Sequence, residues 1–203
     1  MAAKKKTIAA SEQDPVARAE WLKEAAELDP ELLVVIDETQ ATVKMARRYA
    51  RAPGGERARG SVPRNQGTGT TLVAALTAQG IAAPMTLEGA LNTDACIVYV
   101  REVLCPALRP GQIVLMDNLS PHKANQVQQL IEEAGCQLRF FPSYSPDLSP
   151  IELAFSKIKE LLRKAAARTQ EALEEAIVAA IDAITRPDAL GYFKHCGFRS
   201  VAQ

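Results

Sequence analysis

Two short runs, LLVVI at 32–36 and IVLM at 113–116, constrain this chain most. Each is apolar at every position, strand-length rather than helix-length, and carries β-branched residues, as expected of a strand buried on both faces. Each ends at an aspartate, Asp37 after the first and Asp117 after the second. A strand covered on both faces needs helices above and below it, so the remaining sequence is read for helices and for further strands that complete a sheet.

Asp14-Pro15 opens a helix running to about Leu28, with Val16, Ala19, Leu22 and Ala26 recurring on one side. Shorter strand-like pieces follow the first apolar run, around 42–49, 60–62, 70–78 and 81–87, with Gly54-Gly55 and Gln79-Gly80 as hairpin turns between them. A helix is expected from Asn92 or Thr93 to about Leu104. A second is expected from about Pro121 to Ala134, closed by Gly135. LRFF at 138–141 is another strand, and a helix from Pro150 to about Ala167 is followed by one capped at Thr169. The tail from Arg186 reads as short and mixed. The order predicts an α/β chain: a mixed sheet flanked by helices, with residues 1–30 as an N-terminal linker and helix and 31–203 as one domain with C-terminal helices.

At 203 residues the chain is long enough for a sizeable core, and its formal net charge of zero points to no polyanionic partner by itself. The charge is unevenly spread. Between 44 and 64 seven cations face Glu56 alone, which is either a solvated stretch or a footprint for phosphates. The four cysteines show no CxxC pair and no zinc spacing, and Cys96, Cys105 and Cys136 lie in apolar contexts as core thiols of a reducing compartment. The basic start MAAKKK lacks an apolar signal-peptide core, no run approaches membrane-spanning length, and the Gly-rich phosphate loops GxxxxGK[ST] and GxGxxG are absent. These features predict a cytoplasmic protein with no membrane partner and no nucleotide cofactor.

The segment FPSYSPDLSPIELAFSKIK at 141–159 supplies a third acid. Pro142, Pro146 and Pro150 stiffen the approach to a helix, Ser149 stands at its N-cap, and Glu152 at its third position. Ser149-x-x-Glu152 has the spacing of a capping box, in which the glutamate accepts from the N-cap amide. Glu152 also joins Asp37 and Asp117 as a third carboxylate delivered by a third element. Oxygen-rich sets of this kind suit Mg²⁺ or Mn²⁺, and two such ions about 3.5–4 Å apart promote phosphodiester chemistry. Both readings of Glu152 stand at this point. On the same helix Ile151, Phe155, Ile158, Leu162 and Ala165 share an apolar face, and Glu152, Ser156, Lys159 and Arg163 form the adjacent stripe. That stripe suits either solvent or a DNA backbone.

VVIDET, LMDNLSPHK and PSYSPDLSPIELAFSKIK together resemble the three signature blocks of the DDE transposase catalytic domain, most nearly the bacterial insertion-sequence branch of the mariner superfamily. In that branch 34 residues separate the second Asp from the final Glu, and 34 lie between Asp117 and Glu152 here. The resemblance runs from about Asp14 to Phe198. It implies an RNase H-like fold, a DDE superfamily endonuclease that cleaves DNA strands at transposon ends and transfers them to target DNA, and Mg²⁺ (or Mn²⁺), two ions, as cofactor. It implies Asp37, Asp117 and Glu152 as catalytic residues and metal ligands. Asn118, His122 and Lys123 match the family's DNxxxHK block and join Lys159 and Arg163 as DNA-binding candidates. His122 reads equally as a phosphate contact or a helix-start residue. Tyr144 and Ser145 read chiefly as packing beside the site.

The chain also departs from the pattern. After Val62-Pro63, family members often carry His and Trp; here the residues are Arg64, Asn65, Gln66 and Gly67. Relatives begin with helix-turn-helix modules that bind the transposon ends, and this chain starts near the linker after them. The expected partners are therefore DNA, a second copy as a homodimer on DNA, and a helix-turn-helix domain encoded by an adjacent frame, with the protein associated with the nucleoid. The rival expectation is a catalytically inactive DNA-binding or partner-binding remnant of a transposable element. An unrelated metal phosphohydrolase is disfavoured because Asp37-Glu38-Thr39 lacks a DxDxT-like nucleophile loop.

Overall fold

The computed structural model describes residues 10–47, 49–64, 69–117 and 125–199. Five strands form one sheet: β1 (Leu33–Ala41), β2 (Thr70–Thr77), β3 (Gly80–Glu88), β4 (Ile113–Met116) and β5 (Gln137–Phe140). Their order is β3-β2-β1-β4-β5, antiparallel from β3 to β1 and parallel from β1 through β4 to β5. The helices are α1 (Pro15–Glu27), α2 (Thr93–Tyr99), α3 (Asn125–Glu133), α4 (Pro150–Ala165), α5 (Gln170–Asp182) and α6 (Arg186–His195). This is the mixed sheet flanked by helices that the apolar runs require.

Alternation along the strands divides the core in two. Leu33, Val35, Leu72, Leu76 and Leu115 face α1, α4, α5 and α6. Val34, Ile36, Val73, Val114 and Met116 face α2 and α3 on the other side. Double coverage explains why the first run has no polar position until Asp37. On the first face α4 buries Ile151, Ala154, Phe155, Ile158 and Leu162, and Phe155 is only 1% exposed. Truncating a side chain so enclosed costs about 3–5 kcal/mol. Ala165, expected on that face, is exposed because α4 ends there and Ala166 turns into the left-handed region at φ 51°.

Several expectations are corrected. The first strand does not stop at Asp37 but runs to Ala41, because β2 goes on pairing with it from Asp37↔Ala74 to Ala41↔Thr70. The pieces expected as strands around 42–49 and 60–62 have no strand among their described residues. A turn does form at Gly54-Gly55, with the Glu56 amide donating to the Pro53 carbonyl at 3.0 Å. This stretch is rich in Arg, Ala and Gly with no apolar alternation, so it has nothing to bury, and the described residues of 49–62 are all exposed. Beyond α2 the helix continues to Leu104 with a π-helical turn (Val100–Leu104) that keeps Val100 and Leu104 buried. The tail from Arg186 is not mixed but helical. Thr185 and Asp188 close a full capping box at the start of α6, and Gly197, at φ +96°, carries the chain out.

Gly80 opens β3 at φ +123°, where an added Cβ would meet the Ile184 carbonyl oxygen at 2.6 Å. The β2–β3 hairpin thus packs its turn directly on the α5–α6 connection. All four cysteines are free thiols. Burial pushes Cys96 up to about 11 and Cys196 up to about 12, and raises Cys105 and Cys136 as well, so none is poised as a thiolate. Among the described residues no helix is long and apolar enough to cross a membrane.

Candidate active site

Asp37 and Asp117 reach the site through strand register. β1 and β4 run parallel with Ile36 opposite Met116, and the pairing ends there. The next residue on each chain is the aspartate, so the two acids leave neighbouring strands at the same level, roughly 4.8 Å apart across the sheet. Alternation then sets the face. Asp37 follows Val35, and Asp117 follows Leu115, on the face packed by α4. Glu38 follows Ile36 toward the opposite face, so the adjacent acids Asp37 and Glu38 do not share a site.

The third acid arrives along a fixed path. Phe141 is buried beyond β5, its amide donating to the Met116 carbonyl at 3.0 Å. Tyr144 takes φ 57°, a left-handed conformation unusual for a bulky residue, and turns the chain. A single 3₁₀ turn (Pro146–Leu148) with Leu148 buried then leads into α4 at Ser149. The expected capping box is absent. The Ser149 hydroxyl makes no cap bond, and the Ser149 amide that Glu152 would accept from already donates to the Pro146 carbonyl at 3.1 Å. The 3₁₀ turn therefore frees the Glu152 carboxylate from capping.

Asp37, Asp117 and Glu152 line one small cleft of about 20 Å³, together with Phe141, Ser145, Pro146 and Ser149. The Glu38 amide donates to Asp37 Oδ1 at 2.8 Å, which orients that carboxylate. The donors are carboxylates and hydroxyls, an all-oxygen set that suits Mg²⁺ or Mn²⁺ better than a thiolate- or imidazole-seeking metal. Among the described residues no three Asp, Glu, His or Cys side chains stand close enough to hold an ion as they are. Glu152 is exposed, so its side chain has the rotamer freedom to approach the two aspartates.

Asn118, His122 and Lys123 lie outside the described residues. Lys159 and Arg163 continue the accessible stripe of α4 but do not line the cleft. Sequence reasoning passed over Pro146 and Ser149 as walls of the cleft, although their place beside Glu152 in the 3₁₀ turn follows from the proline spacing.

Residues 32–174 match the family described as DDE superfamily endonuclease. The chain belongs to that family. A search of curated proteins finds no match. Among solved structures this DDE chain resembles the pre-cleavage Mos1 transpososome at TM-score 0.75 and 15% identity, covering 97% of this chain and 66% of that one. It resembles the Mos1 strand transfer complex at TM-score 0.75 and 18% identity, covering 97% and 63%. The catalytic domain of Mos1 mariner transposase matches at TM-score 0.63 and 15% identity, covering 90% of this chain and 85% of that one. At these identities the likeness is one of fold, the RNase H-like arrangement. The chain spans 66% or less of the length of the two transpososome chains.

Proposed function

We propose that this chain is the catalytic part of a transposase, 31–203 preceded by a linker and helix at 1–30, which cleaves DNA strands at transposon ends and joins them to target DNA with divalent metal ions. The observation that carries the reading is the cleft shared by Asp37, Asp117 and Glu152 in a DDE superfamily endonuclease. Asp37 and Asp117 would hold one Mg²⁺ or Mn²⁺ jointly, and Glu152 would complete the shell of a second. Ions bound there supply a lowered pKa to a water or hydroxyl and charge neutralisation at the phosphate. Similar solved structures include Mos1 paired-end complexes with Mn and with Mg, which favours the same metals here.

The chain's own residues orient and position. The Glu38 amide fixes Asp37. The 3₁₀ turn leaves the Glu152 carboxylate available at the N-terminus of α4. Lys159 and Arg163 would hold DNA phosphates along α4, joined by Asn118, His122 and Lys123 from the family's DNxxxHK block. Phosphate contacts of this kind position DNA without reading sequence. The nucleophile is first water and then the 3′-hydroxyl of the freed strand.

The similar transpososome structures include a Mos1 paired-end complex, which supports action as a homodimer on two DNA ends. A helix-turn-helix partner from an adjacent frame would supply end recognition. Plasmid nicking tests the reading: the chain with Mg²⁺ or Mn²⁺ relaxes supercoiled DNA, and chelation stops it. Metal-bound protein that binds DNA but never nicks it would be the inactive remnant instead.

A further inference from the structure

The excursion between β1 and β2 takes no part in the carboxylate cleft, yet it is held firmly at its start. Arg168, in the link between α4 and α5, donates from Nη1 to the carbonyls of Val43 at 3.0 Å, Met45 at 2.9 Å and its neighbour Ala167 at 3.0 Å. One guanidinium thus pins the first residues of the excursion against the C-terminal end of α4.

Pinning creates a groove. Arg47, Tyr49, Glu160, Arg163 and Lys164 enclose about 400 Å³. A second hollow of about 320 Å³ shares Arg47 and Arg163 and extends the surface to Arg59. The acid in the groove is already matched within the helix, since Lys164 Nζ lies 2.9 Å from Glu160 Oε1. Arg47 and Arg59 make no ion pair among the described residues, and both are exposed. Tyr49 is 90% exposed, an aromatic ring the fold does not use.

We propose that this groove seats the sugar–phosphate backbone of a DNA duplex away from the phosphate at the carboxylate cleft. The inference rests on the transposase reading and extends it to the Arg-rich excursion. Arginine's planar fork pairs with phosphate oxygens, and an exposed tyrosine offers its hydroxyl to phosphate and its ring to the sugar edge. The helix also sets a distance. Glu152 opens α4 and Arg163 lies eleven residues on, about 16 Å along the axis at 1.5 Å per residue. Phosphates of one strand rise about 3.4 Å apart, so a duplex laid parallel to α4 would meet the groove about five base pairs from the cleft. Lys159 lies between, on the same stripe.

The test is binding of the full chain to a duplex of about 30 base pairs in EDTA, followed by fluorescence anisotropy over a range of KCl. Each lost phosphate contact lowers the steepness of log K against log salt by about 0.9. Arg47→Ala with Arg59→Ala should lower it by about 1.8, while Lys194→Ala on α6 leaves it unchanged. An unchanged slope in the double variant overturns the proposal. So does an unchanged slope with loss of self-association, which would assign the groove to a second copy. A chain that shows the expected slopes but never nicks DNA sinks the cleavage reading and leaves the groove. A chain that nicks DNA with slopes indifferent to Arg47 and Arg59 does the reverse.

Discussion

Arg18 of α1 grips Asp147 with two parallel hydrogen bonds, Nη1 to Oδ1 at 3.0 Å and Nη2 to Oδ2 at 2.7 Å. Asp147 lies in the 3₁₀ turn that delivers Glu152, so an N-terminal helix braces the approach to the proposed site. Two further contacts reinforce the brace. Gln13 Nε2 donates to the Tyr144 carbonyl at 2.6 Å, and the Trp21 ring meets Phe141 edge-on at 5.2 Å.

Breaking this grip should hurt cleavage more than stability. The side chains of Arg18 and Asp147 are 20% and 59% exposed, so water screens the pair and its loss costs about 1 kcal/mol or less. Supporting residues around metal sites typically matter 10- to 100-fold, so Arg18→Ala should lower the nicking rate about 10-fold. Lysine offers no fork and should rescue poorly. The pH dependence has a definite sign. The hydrogen bond from Arg18 holds the Asp147 carboxyl below its ordinary range, against the opposing effect of burial. The pair's contribution is therefore present at neutral pH and is lost as pH falls below about 4. Melting curves of wild type and Arg18→Ala should converge in acid.

A second prediction concerns α6. Thr185→Ala removes the N-cap hydroxyl and should destabilise the fold by about 1 kcal/mol. Asp188 is pulled down to about 2, first by the Lys157 ammonium at 2.8 Å and then by Thr185. Its contribution is complete above about pH 4 and disappears as pH falls toward 2. Asp188→Asn should therefore flatten the acid limb of the stability profile in that window, read by urea melts at successive pH values.

Much of this was legible in the sequence. The runs at 32–36 and 113–116 announced their strands because burial on both faces forbids polar residues, and the Schellman ending of α3 announced itself through Gly135. There the Cys136 amide donates to the Ile131 carbonyl and the Gly135 amide to that of Glu132. The end of β1 is hidden in the sequence because a polar residue after an apolar run has the form of a strand terminus. Only the register with β2 reveals that the strand continues while β4 stops, and that difference opens the cleft. The start of α6 was written in Thr185-x-x-Asp188 and its exit in Gly197, but a weakly periodic ten-residue helix left only its caps as signal. The supposed capping box failed for a reason outside its own four residues, since Pro146 already occupies the Ser149 amide. The grip of Arg18 on Asp147 spans 129 positions and carries no local signature.

The aspartates should separate activity from folding. Asp117→Asn keeps the size and shape of the side chain, so without metal the variant should still fold and melt cooperatively. Mg²⁺ binds only the native state, and the stabilisation it gives should shrink in Asp37→Asn and in Asp117→Asn. Nicking should fall at least about 100-fold, more than for a supporting residue. Thermal melts with and without Mg²⁺, beside plasmid nicking, check both halves.

Glu152 carries the most direct test. With no capping box to lose, Glu152→Gln should change stability by no more than about 1 kcal/mol, the scale of a charge at a helix N-terminus. A neutral amide lacks the charge that holds a divalent cation, so metal-dependent nicking should fall at least about 100-fold. The measurement is the nicking rate of Glu152→Gln on supercoiled DNA at saturating Mg²⁺, with a melting curve to show that the fold is intact. A folded variant that no longer nicks is the predicted result. A folded variant that nicks at nearly the wild-type rate would contradict the assignment of Glu152, and with it the three-carboxylate site.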